Sequence, residues 1–121
     1  MRRRKAQIIH SPEVTVVAVP YHGGFVAEFK ARIPPSHRRW EPKTRVWLVS
    51  PERGEEAAEV ARHHFRIVEE NRVEETPAVF FTNGYGEIVA FITRSGNYYE
   101  GVGLSAKIVR EIEEILEKGG F

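Results

Sequence analysis

The chain has 121 residues, 41% of them apolar, no cysteine and a formal net charge of +1. This length and apolar content support one hydrophobic core without disulfides or a structural metal, and the lack of thiols excludes disulfide, thiolate-metal and cysteine-nucleophile chemistry. No run approaches the roughly 20 apolar residues of a membrane span, and Ile8-Ile9 give way at once to His10-Ser11-Pro12, so no signal-peptide core follows the basic start and a cytoplasmic location is expected.

Lys5 to Ile9 reads as a short strand or as part of a basic arm over residues 1–12. Val14 to Val19 is a β-branched run between Ser11-Pro12 and Pro20, the pattern of a buried strand. His22-Gly23-Gly24 then opens a helix on which Phe25, Val26, Phe29 and Ile33 share a face, and Pro34-Pro35 ends it. Arg38 to Trp40 and Arg45 to Val49 form a hairpin around Pro42. Ser50-Pro51-Glu52 has the form of a helix start, with Ser50 as the cap and Gly54 weakening the first turn. Ala57, Ala58, Ala61, His64 and Phe65 give that helix a shallow apolar face, and Arg66 to Glu70 reads as a further strand.

Beyond a polar, acidic loop, Ala78 to Thr82 and Glu87 to Thr93 pair through Asn83-Gly84, and Ser95-Gly96-Asn97 turns into Tyr98-Tyr99. Ser105 caps a last helix with a stripe of Ile108, Val109, Ile112, Ile115 and Leu116, ended by Gly119-Gly120. The order is β-α-β-β-α-β followed by β-β-(β)-α. The fold class is α+β: one domain over residues 1–121, with a small mixed or antiparallel sheet packed by three helices. Its parts are a basic arm (1–12), a βαββα(β) half (14–68) and a β-meander with a C-terminal helix (77–121).

Charge is distributed unevenly. Residues 1–47 carry ten Arg or Lys and three Glu, giving +7, and residues 48–121 carry eight and fourteen, giving −6. A one-sided basic surface is the footprint of an anionic partner. All 17 acidic residues are Glu, and Arg outnumbers Lys 13 to 5. With few thermolabile side chains, this composition points to a thermophilic source. The absence of Asp, the short carboxylate common in two-metal and phosphoryl-transfer sites, argues against an enzyme of that kind. No catalytic residue, cofactor or metal site is expected.

Both tryptophans lie in Arg38 to Trp47, RRWEPKTRVW. With Pro42-Lys43 as the turn centre, paired positions sum to 85. Trp40 then faces Arg45, Arg38 faces Trp47, and these four share one face, while Arg39, Val46 and Leu48 share the other. The Arg-Trp face is either a platform for phosphates and unstacked bases or a sheet core with a basic edge. If Val46 and Leu48 face the helices, the platform is free; if the tryptophans do, Arg39, Lys43 and the rim remain. The candidate nucleic-acid-binding residues are Lys30, Arg32, Arg38, Arg39, Trp40, Lys43, Arg45 and Trp47.

The run from Val14 to Val68 resembles the HARP domain, a module that accompanies annealing helicases. The shared pattern is Tyr21 after the strand, Phe29-Lys30, Pro34-Pro35, Arg38-Arg39-Trp40, Pro42, Arg45 and Trp47. The resemblance implies binding of single-stranded or branched DNA through the basic hairpin. No helicase motor is present, so a non-catalytic nucleic-acid-binding protein is expected. The element order with Thr76-Pro77 is also similar to the thioredoxin fold. Where that family carries its redox cysteines this chain reads Tyr21-His22-Gly23-Gly24-Phe25, which rules out the redox activity.

The alternative function is a non-catalytic protein-interaction module, with a partner or a second copy docking on residues 78–99. His63 and His64 are adjacent on a helix, about 100° apart, and are not placed to share a metal. Arg2 to Lys5 form either a phosphate-gripping arm or a solvated terminus.

Overall fold

The computed structural model describes residues 3–100. Ten elements follow in order: β1 (Ala6–His10), β2 (Thr15–Ala18), α1 (Gly23–Arg32), β3 (Arg38–Glu41), β4 (Val46–Val49), α2 (Gly54–His64), β5 (Val68–Arg72), β6 (Pro77–Thr82), β7 (Ile88–Thr93) and β8 (Tyr98–Glu100). The class is α+β, with two α-helices among the described residues. The expected third helix, from Ser105 onward, lies outside them. Strands form a five-stranded sheet in the order β3-β4-β2-β1-β5 and a three-stranded sheet β6-β7-β8. All pairings are antiparallel except β1 with β5.

The larger sheet is the middle of three layers, and strand alternation shows it. Ala6, Ile8, Val17 and Val49 point to one side and pack with Phe25, Phe29, Ile33 and the alanines of α2. Ile9, Val16, Ala18 and Val46 point to the other and pack with Ile88 and Phe91 of β7. A period of two in the side chains thus serves two separate apolar clusters. Gln7 locks the second sheet in place: its side-chain amide donates to Ile88 O at 2.7 Å and accepts from Ile88 N at 2.8 Å.

Three expectations are corrected. The basic arm is in its second half an inner strand, β1, between β2 and β5 and buried along its whole length; its polar Gln7 and His10 conceal the alternation a strand normally shows. The element order therefore begins β-β-α, and two sheets replace the one expected. Ser50 makes no side-chain capping bond: Pro51–Arg53 is a 3₁₀ turn, and α2 starts only at Gly54. Helix α1 is as read, with His22 as its cap: His22 Nδ1 accepts from Phe25 N at 3.0 Å, and the helix ends before Pro34-Pro35.

Candidate nucleic-acid interface

The β3–β4 hairpin pairs in a register that sums to 87, two more than expected: Trp40 faces Trp47, Arg38 faces Val49, Arg39 faces Leu48 and Glu41 faces Val46. The two-residue turn fails because proline holds φ near −65°, whereas the tight hairpin turns need positive φ. A four-residue connection, Pro42 to Arg45, forms instead, with Arg45 in the left-handed region at φ 55°. Arg38, Trp40 and Trp47 still share a face, but Arg45 leaves it for the turn. Arg39, Val46 and Leu48 share the opposite face, as the alternation required.

The tryptophan face is the helix face. Trp47 lies against Phe29 of α1, ring centroids 5.0 Å apart, and against Trp40 at 5.1 Å. Trp40, on the edge strand, remains 45% exposed. The other face is covered by the meander through Val46 and Leu48. Neither face is wholly free, and binding capacity falls to the flank of the hairpin, where α1 and the small sheet leave a cleft.

That cleft has a volume of about 1040 Å³. Trp47 and Trp40 form its floor and rim, Val26 and Lys30 of α1 one wall, and Phe80, Tyr85 and Gly86 the other. Tyr21, 75% exposed, stands at the mouth. Among the described residues, four cations line it, Arg3, Lys30, Lys43 and Arg45, and no acidic side chain does. Lys30 Nζ is 5.9 Å from the Trp47 ring and the Arg38 guanidinium 6.0 Å, both within cation–π reach. Arg38 Nε also donates to Ile33 O at 2.8 Å, which fixes its stem.

Arg3 builds one end of the cleft. It donates to Gly86 O at 2.8 Å, Arg45 O at 2.6 Å and Thr44 O at 2.9 Å, tying the hairpin tip to the β6–β7 turn. Burial, and then the Arg45 charge, pull its guanidinium below the ordinary value. Arg4 lies over the Tyr85 ring at 3.8 Å and pairs with Glu87 at 2.9 Å, and Lys5 pairs with Glu69 at 2.6 Å. The basic N-terminal side chains from Arg3 onward are therefore bound within the protein. Phe80 and Tyr85 are cleft residues the sequence did not mark, because they come from segments far from the hairpin with no local motif, and Arg3 was read as part of a phosphate-gripping arm or a solvated terminus, not as a wall of a cleft.

The cations divide into two sets. Arg4, Lys5, Arg32, Arg53, Arg62, Arg72 and Arg94 each meet a carboxylate. Arg3, Lys30, Arg38, Arg39, Lys43, Arg45 and Arg66 have none within ion-pair distance among the described residues. All of this second set but Arg66 lie on the hairpin or the cleft. Of the sequence candidates, Lys30, Trp40, Lys43, Arg45 and Trp47 line the cleft, and Arg38 adjoins it. Arg39 points into a groove on the opposite face. Arg32 lies apart, held by Glu28, Glu56 and Glu59.

Two titratable clusters lie elsewhere. His63 Nδ1 and His64 Nε2 converge on Glu28, at 2.7 and 3.0 Å, although the two rings leave α2 in different directions. The His63 hydrogen bond, helped by His64 and Arg32 against partial burial, draws the Glu28 carboxyl below its usual range. His10, Glu55 and Glu70 bring ligand atoms within 4.8 Å of one another. Arg72 pairs with both carboxylates and Arg62 with Glu70, so a cation there would displace guanidinium groups.

No protein-family model, curated protein or solved structure matches the chain.

Proposed function

We propose that this protein is a non-catalytic binder of single-stranded nucleic acid, holding unstacked bases in the cleft beside the β3–β4 hairpin. One observation carries the reading: among the described residues, four of the seven cations without a carboxylate partner, Arg3, Lys30, Lys43 and Arg45, line one cleft that holds aromatics and no acidic side chain, and Arg38 adjoins it. A polyanion replaces the missing carboxylates, and the exposed parts of Trp40 and Tyr21 offer π-faces to bases. A duplex hides its base faces by stacking, so it gains the phosphate contacts alone. The likeness of residues 14–68 to the HARP domain points to DNA. A protein partner on residues 78–99 would leave the acid-free cleft without a role.

The test is fluorescence anisotropy with labelled single-stranded, forked and duplex DNA at two salt concentrations. Single strands and forks should bind more tightly than duplex, with affinity falling steeply as salt rises. Trp40→Ala should weaken single-strand binding about ten-fold, the lower part of the range for one lost base stack. Poly-glutamate binding as well as DNA, or no DNA binding at low salt, would sink the proposal.

A further inference from the structure

We infer that the two grooves flanking the hairpin form one track for a single strand: bases sit in the aromatic cleft, and the adjoining backbone crosses the hairpin tip to rest on Arg39. This rests on the nucleic-acid reading above and adds a second, backbone-only subsite to it. The groove on the Arg39 side has a volume of about 890 Å³, and Lys43, Thr44 and Phe80 line it and the cleft alike. The tip is therefore the shared border of both spaces.

The two grooves differ in chemistry. The cleft has tryptophan and tyrosine faces, whereas the aromatic rings lining the second groove, among the described residues, are Phe80 and the imidazole of His37, with no Trp or Tyr. That groove can hold phosphates but cannot stack a run of bases. It holds two acidic residues among the described ones: Glu13 pairs with Arg94 at 3.2 Å, while Glu41 accepts from the backbone Lys43 N at 3.1 Å and keeps its charge, which a phosphate on Arg39 must stay clear of. Arg39 is exposed and has no carboxylate partner among the described residues, so its charge is available to a phosphate.

The experiment compares oligothymidylates of about 4 and about 12 nucleotides, spanning the range of site sizes in small single-strand-binding folds. The longer one should bind more tightly than added registers alone explain. Arg39→Gln should weaken the longer one about five-fold and lower its slope of log K against log salt by about 0.7, the share of one phosphate contact. The short one should be unaffected. Since Arg39 is exposed and unpaired, the variant keeps the fold. Unchanged affinity and slope for the longer strand, or an equal loss for both lengths, overturns the track. If neither length binds at low salt, the nucleic-acid reading itself falls, and the track with it.

Discussion

Glu87 is 1% exposed, and its carboxylate accepts from Arg4 N at 2.7 Å, Arg4 Nη2 at 2.9 Å and Asn83 Nδ2 at 3.1 Å. Burial pushes the carboxyl up, but the Arg4 and Asn83 hydrogen bonds outweigh it and set it at about 2. A carboxyl depressed on folding stabilises the protein above its ordinary value of 4.5 and loses that contribution as pH falls toward about 2. Glu87→Gln should therefore cost about 2 kcal/mol at neutral pH by urea denaturation, and its stability should fall less between pH 5 and pH 2 than the wild type's. A parallel acid limb in the two proteins would count against this assignment. In the sequence Glu87 is merely the first residue of a strand, because its partner Arg4 lies 83 positions away. The same holds for the cations: Arg32 and Arg45 look alike in the sequence, and only the fold surrounds the first with three glutamates and leaves the second without one among the described residues.

Among the elements, strand β1 and helix α2 show what local pattern conveys. Gly54 reads as a weak point in the first turn of α2, yet it sits at an ordinary helical φ of −61°. Its function is close approach. A Cβ there would lie 2.9 Å from His10 Nδ1 and nearer still to Thr15 Oγ1, on the neighbouring strands β1 and β2. Gly54→Ala should thus destabilise by about 1–3 kcal/mol through overpacking, although helix propensity alone favours Ala by about 1 kcal/mol. The sign of the shift in the urea midpoint decides between the two effects. The hairpin was legible as a hairpin, and so was its alternation. Its register was not, because the four-residue turn with Arg45 at positive φ is set by the carbonyl bonds of Arg3 as well as by Pro42.

For the whole molecule, the three layers divide the two tryptophans between stability and binding. Trp47 is wedged between Phe29 and Trp40, so Trp47→Ala should cost about 3 kcal/mol. Trp40, at the sheet edge, should cost about 1 kcal/mol or less in stability while its loss weakens oligonucleotide binding. Urea denaturation and anisotropy on the two variants would separate these roles, and an equal stability loss would contradict the placement. In a Trp47→Phe background, iodide quenching of Trp40 should fall when oligothymidylate is added.

By itself the sequence determined the elements that periodicity and turn chemistry write within a few residues: helix α1 with its proline stop, the β-branched strand β2, both hairpins and the concentration of basic and aromatic residues near 38–47. Only the tertiary structure decided that β1 is an inner strand, that the tryptophans face α1, and which of the described cations remain unpaired around a cleft. Those outcomes depend on partners such as Arg3 with Thr44 and Arg4 with Glu87, 41 and 83 residues apart. No local window contains both members of such a pair.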